Sequence, residues 1–379
     1  MLMAGALGAV VLSAAFAPHA RGAAPDGGSW DARGAATYLD GRADWWMSWP
    51  NAARDHGTFC VSCHTAMPYA LARPTLRSAL GERERSATEA KLVANVSTRV
   101  NQWNEVAPFY PDQTRGLPKS SESRGTEAIL NALILSARDV ESGQLSDDTR
   151  TAFRNLWALQ MRTGDLSGAW AWLDFHYEPW ESHGAPYFGA ALAAVAVGTA
   201  PGGYASSTEI KDNLKLLRDF FQREYDQQPL FNRLMLLWAS AARPELITAD
   251  QRQSIVDAAF REQHDDGGWS MASLGAWKRL DGTAIETKSD GYATGLTALA
   301  LQRAGFAARD GHVSRALAWL ERNQVRATGQ WIATSLNKER DPATDIGKFM
   351  SDAATGFAVL ALAQPRDTRS SAHAGQPVR

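Results

Sequence analysis

The chain has 379 residues, a formal net charge of −2, 45% apolar and 21% charged residues. The near-neutral balance excludes an electrostatic reading as a nucleic-acid binder or as a protein held to an anionic membrane surface. The composition is that of a globular protein, and the length allows one large domain or two smaller ones.

The chain opens "MLMAGALGAVVLSAAFAPHARGAAP". Its apolar run is short for a membrane span, and small residues follow it as around a signal-peptidase site. Residues 1–24 therefore read as a signal peptide or an anchor, although a positive n-region is missing. Export is the expectation, to a periplasm or to the outer side of a membrane. No later segment is long and apolar enough to span a bilayer. Tryptophan is unusually frequent, at 14 residues. It clusters in "ADWWMSWP" (Trp45, Trp46, Trp49) and "GAWAWLDFHYEPWESH" (Trp170, Trp172, Phe175, Tyr177, Trp180). Such rings serve either as packing between helices or as the lining of a cavity for an apolar ligand.

The stretch "TFCVSCHTAMPYALARP" holds both cysteines of the chain, Cys60 and Cys63, with His64 next. Chance placement rarely gives this spacing. In c-type attachment two thiols add to the two haem vinyl groups, and the adjacent histidine supplies the proximal nitrogen to iron. Haem c on Cys60 and Cys63, with His64 as metal ligand, is the leading expectation. Zinc held by Cys60, Cys63, His64 and a distant fourth ligand is the alternative. A Cys60–Cys63 disulfide, with the Cys63 thiol made acidic by a helix N-terminus, and two merely buried thiols also stay open. His183, His176, His56 and Met161 are candidate sixth ligands to iron; Met67 is too near His64 in the chain.

Five stretches open on serine and run into a small-residue-rich apolar segment. They start at Ser62, Ser123, Ser182, Ser289 and Ser351, roughly 60 residues apart save one double interval. "QQPLFNRLMLLWASAAR" fills that gap, giving six units. Serine at each start reads as a helix N-cap. Amphipathic segments alternate with these, for example "DDTRTAFRNLWALQM", "TEIKDNLKLLRDFFQREY" and "HVSRALAWLERNQ". Six pairs of outer and inner helices predict an all-α (α/α)6 toroid over residues 30–365, with the polar segment 366–379 as a disordered tail.

Before several inner helices stands Gln, then Gly-x-Trp: Gln160, Gly168 and Trp170; Gln263, Gly267 and Trp269; Gln324, Gly329 and Trp331. This resembles the Gln-Trp repeat of squalene-hopene cyclases and the wider toroid group of terpenoid cyclases and protein prenyltransferases. The resemblance implies that Gln ties the ends of neighbouring helices while Trp packs against them. It covers most of residues 90 to 363. The Asp-x-Asp-Asp acid of the cyclases is absent. Asp265 and Asp266 lie inside a Gln-Trp motif, where a turn role is expected. Zinc at the cavity is a property the resemblance implies for prenyltransferase-like members.

If all inner helices point one way, their N-termini ring one mouth. The residues after each serine are then Cys63, Arg124, His183, Asp290 and Asp352, with Glu127 one turn further in. These are the candidate catalytic groups; each acid has a rival reading as a helix-start carboxylate. The expected function is a haem-bearing oxidoreductase whose cavity holds a small, largely apolar molecule, with a possible electron-transfer partner. Zinc-thiolate prenyltransferase or cyclase-like chemistry, and a non-catalytic partner-binding toroid, are the rivals.

Overall fold

The computed structural model describes residues 30–363. The expected signal or anchor (residues 1–24) and tail (residues 366–379) lie outside them. Among the described residues the α-helices are α1 Ala32–Ser48, α2 Ala66–Leu80, α3 Ala87–Asn101, α4 Ser120–Asp139, α5 Asp147–Ala158, α6 Ala185–Thr199 and α7 Lys211–Glu224. There follow α8 Leu230–Ser240, α9 Ala249–Arg261, the single turn α10 Met271–Leu274, α11 Gly291–Arg303, α12 Gly311–Asn323 and α13 Phe349–Leu362. The described residues contain only isolated β-bridges and no strand.

Contacts between helices define the architecture. The inner helices α2, α4, α6, α8, α11 and α13 touch in cyclic order, and α13 closes back on α2. The outer helices α1, α3, α5, α7, α9 and α12 pack against them from outside. The protein is thus an all-α (α/α)6 toroid, closed rather than an open stack. The inner helices are buried nearly all round: on α11 every residue from Gly291 to Leu301 is buried. Their small residues let backbones approach. At Gly295 a Cβ would stand 2.7 Å from the Ala358 nitrogen of α13, so no larger side chain fits. Each larger apolar side chain buried in this layer contributes roughly 1.5–3 kcal/mol. The sixth outer helix, α1, is one that the amphipathic segments named above omit; its bulky "ADWWMS" end masks the outer-helix pattern.

The Gln-Trp motifs act as clasps. Gln324 Nε2 donates to the Gly329 carbonyl and to the Asp31 carbonyl, both at 2.9 Å, while its Oε1 accepts from Asp31 N at 2.6 Å. Gln160 Nε2 likewise donates to the Gly168 and Asn213 carbonyls and Gln263 Nε2 to those of Gly267 and His312, while their Oε1 atoms meet the side chains of Asn213 (Nδ2) and His312 (Nδ1). Each clasp joins the end of one outer helix to the start of the next. The indoles of Trp170, Trp269 and Trp331 donate to the carbonyls of Leu156, Ala259 and Leu320, the last turns of the preceding outer helices. Asp266 ties its turn by accepting from Gly268 N, Ser289 Oγ and Trp319 Nε1.

The serine caps need correction. Outer helices do use serine or threonine: Ser86 and Thr248 form capping boxes and Ser146 caps α5. No inner helix has serine as its N-cap residue, although Ser62, three residues before Thr65, does accept from the Thr65 and Ala66 N–H groups at the start of α2. The inner-helix N-caps are Thr65, Lys119, Gly184, Pro229, Asp290 and Lys348. Ser123 and Ser351 lie inside the first turn, where their hydroxyls pin the loops at Tyr110 and Ala333. The tertiary need to hold a crossing loop outweighs the local capping preference.

Connections leaving the inner helices are short: 81–86, 140–146 and 304–310. Those entering them are long at 49–65, 102–119, 159–184 and 324–348, whereas 225–229 into α8 is short. The long loops gather over the mouth where the inner helices begin, and there they build a cavity.

Candidate functional site

The Cys60–His64 segment is held as a turn before α2 by its neighbours. Asn95 of α3 accepts from Phe59 N at 2.8 Å and donates to its carbonyl at 3.1 Å. Trp46 of α1 donates its indole N–H to the Cys60 carbonyl at 2.6 Å. Ser62 Oγ accepts from Ala66 N at 3.0 Å, which turns the chain into the helix.

Cys60, Cys63 and His64 line one cavity of about 370 Å³. This is within the ordinary range for small-molecule sites. Aromatic walls dominate it: Trp46, Trp49, Tyr110, Phe175, Trp180 and Phe349. Polar groups on the same cavity include Glu181, Arg115 and Arg340. Arg115 lies 5.2 Å over the rings of both Phe175 and Tyr177. The aromatic stretches therefore divide. Trp170 packs between helices, while Trp46, Trp49 and Trp180 face the hollow.

Both thiols are free and each residue is 5% exposed. Burial pushes the Cys60 thiol up to about 12 and Cys63 well above its usual range, with Glu181 adding to the Cys63 shift. A helix dipole therefore does not make Cys63 acidic; α2 begins at Ala66, and desolvation outweighs it. Burial, with Arg42 second, pushes His64 down to about 3, so the imidazole is neutral.

His64 is clamped. Phe349 stacks on its face at 3.8 Å between centroids, and Trp46 meets it edge-on at 4.9 Å. His64 Nδ1 is 2.8 Å from Thr65 Oγ1. The Thr65 hydroxyl donates to Asp352 Oδ2 at 2.6 Å. A hydroxyl has one hydrogen, so towards His64 it accepts. Nδ1 carries the proton, and Nε2 keeps its lone pair. Asp352 also accepts from Arg42 Nε at 2.7 Å, Arg42 Nη2 at 3.0 Å and Tyr38 Oη at 2.8 Å. Burial pushes its carboxyl upward, but four donors on two oxygens make it an acceptor throughout.

The wider polar ring does not converge, and that expectation is corrected. His183 has a fully exposed side chain, 3.9 Å from Asp174. Arg124 donates to the Val106 carbonyl and lies 4.5 Å over the Trp103 ring. Glu127 is fully buried, and Arg99 holds it at 2.5 and 3.1 Å. Asp290 caps α11, accepting from Tyr292 N, Ala293 N and Met271 N. None of these four lines the cavity, and Asp352 reaches it only through Thr65 and then His64. The outer-helix Arg99 holds Glu127, the start of α11 holds Asp290, the Val106 carbonyl holds Arg124, and His183 faces solvent. His176, His56 and Met161 also lie off the cavity, whereas Met350 is on it.

Glu181 was not among the sequence candidates. It is the acidic residue of the cavity, and burial pushes it up to about 7 against the pull of Arg115 and Lys119. Its signal was its place in "YEPWESH", two residues from the His183 that drew attention. Thr65 was equally legible as the polar residue after His64. Among the described residues, no three His, Cys, Asp or Glu side chains form a metal-holding group, and no helix is long and apolar enough to cross a membrane.

No protein-family model matches the chain, and no curated protein does. Solved structures do. One is an Asp-to-Asn variant of UGL with dGlcA-Glc-Rha-Glc, at 10% identity and a TM-score of 0.49, covering 88% of this chain and 95% of that one. No activity passes to this chain from a likeness at that level, and the toroid stands on the chain's own closed ring of helices.

Proposed function

We propose that the protein is an exported c-type haem oxidoreductase, with haem joined to Cys60 and Cys63 and ligated by His64 in the cavity at the toroid mouth. The observation that carries this reading is the arrangement of one cavity wall. Two neutral thiols and an imidazole with a free Nε2 line the same hollow as a set of flat aromatic rings. The residues fit the group. A planar tetrapyrrole suits aromatic walls, and Arg115 and Arg340 can pair with its carboxylates. Thioethers are neutral, as burial of Cys60 and Cys63 favours.

Attachment is an addition. Cys60 and Cys63 would hold the group through thioethers, each thiol adding across a vinyl group with its hydrogen kept on the terminal carbon and nothing oxidised. When bound, the haem supplies one-electron chemistry. The chain's own residues bind it, orient His64 and exclude water with the aromatic walls. The sixth-ligand candidates His183, His176, His56 and Met161 all lie away from the cavity, while Met350 lines it, and the aromatic lining suits a small, largely apolar molecule. Electrons would pass to or from a partner at the open mouth.

The test is expression with export to a compartment that matures c-type cytochromes. A Soret band that survives acid-acetone extraction, with a haem adduct on the peptide spanning residues 55 to 73, supports the proposal. A colourless protein holding stoichiometric zinc, or neither group, rejects it.

A further inference from the structure

This inference rests on the haem reading given above. His64 is held from two sides by elements from opposite ends of the chain. Helix α13, the last inner helix, supplies Phe349 against the imidazole face and Asp352, three residues on, towards Nδ1. Helix α1, the first outer helix, supplies Trp46 at the imidazole edge, and Tyr38 and Arg42 to the Asp352 carboxylate. The connection is a single hydroxyl: Thr65 Oγ1 is 2.8 Å from His64 Nδ1 and 2.6 Å from Asp352 Oδ2. The residues concerned are buried, Thr65 at 2% and Asp352 at 1% exposure. Low polarity strengthens such a chain, and each bond polarises the next.

We propose that Asp352, acting through Thr65, is the positioning residue that fixes the His64 tautomer and enriches its Nε2, so that the closing helix of the toroid sets the reduction potential of the haem. A ligand histidine whose second nitrogen donates towards a carboxylate is a stronger donor to its metal. A stronger donor favours the oxidised iron and lowers the potential. The hydroxyl relays this without placing the carboxylate against the imidazole. Because Asp352 is tied to α1, the electronics of the ligand depend on the seam where the ring closes.

Two measurements test this. In the haem-free protein, nitrogen-15 NMR of the histidines should show His64 protonated on Nδ1, and Thr65→Val should release it to a mixture of tautomers. In the haem-loaded protein, Thr65→Val keeps every charge yet should shift the oxidised-to-reduced ratio about tenfold towards reduced, a rise of about 59 mV for one electron. Thr65→Ser should restore the wild-type potential. A wild-type haem-free protein with His64 protonated on Nε2 overturns the relay without any variant. So does a loaded Thr65→Val protein with an unchanged potential. If no haem attaches to the wild type, the haem reading fails, while the NMR result still decides the tautomer.

Discussion

Glu127 lies about two turns into α4 and is fully buried beside Arg99, which is also fully buried. Burial pushes its carboxyl upward, and Arg99 opposes this. The pair stabilises little against an apolar replacement of both, but breaking it strands a charge. Glu127→Ala should therefore destabilise the fold by about 3–5 kcal/mol in urea denaturation. The mutation should leave haem attachment unchanged in whatever protein folds, because Glu127 is off the cavity. Glu181 behaves otherwise. Its carboxyl is raised from 4.5 to about 7 by burial. Below pH 4.5 both folded and unfolded chains hold the proton, and nothing is lost. As pH rises towards 7 the unfolded chain ionises first, so stability falls, at most by about 1.4 kcal/mol per pH unit. Glu181→Gln should flatten that part of a stability-versus-pH curve measured on the haem-free protein; an unaltered slope would assign it to other groups.

At the scale of elements, the Gln-Gly-Trp clasp couples three local requirements. Gly329 has φ +81, and a Cβ there would run into the Gly34 carbonyl; Gly168 has φ +96 and would meet the Leu216 carbonyl. Both strain and collision oppose any side chain. Gly282 also has a positive φ, +74, but open space around it. Gly282→Ala should cost about 1–2 kcal/mol, the left-handed penalty alone. Gly329→Ala should cost clearly more, read as a larger fall in thermal midpoint. Equal effects would mean that the outer helices can yield. The clasp was legible in the sequence because all its parts fall within a dozen residues. The Ser-led starts are legible as repeats, but only Ser62 meets the capping expectation, accepting from Ala66 N. A serine near a helix start caps it only if the chain lets the hydroxyl face the first turn. At Ser123 and Ser351 a crossing loop takes it instead.

For the whole molecule, ring closure depends on contacts between the chain's two ends. Gln324 grips Asp31 across 293 positions, and Arg42 pairs with Asp352 across 310. Gln324→Ala leaves Asp31 N and O without partners at the seam, a loss of about 1–3 kcal/mol. Deleting α1 should do more. Without Tyr38, Arg42 and Trp46, a chain beginning at residue 49 should lose its single cooperative melt and should fail to retain haem. Circular dichroism and the Soret band check the two. A sharp, wild-type transition in the truncated chain would contradict the seam.

The sequence by itself determined the period, the alternation of buried and amphipathic helices, the Gln-Trp clasps and the Cys60, Cys63, His64 triplet. All of these are written in spacings of a few residues or in their repetition. Tertiary structure alone decided which polar groups reach the cavity. Arg99 claims Glu127, α11 claims Asp290, solvent takes His183, and Glu181 comes forward instead, with Thr65 behind His64. The reason is physical. Packing around the whole ring decides which elements meet, and a buried charge settles on whichever partner that packing brings within reach.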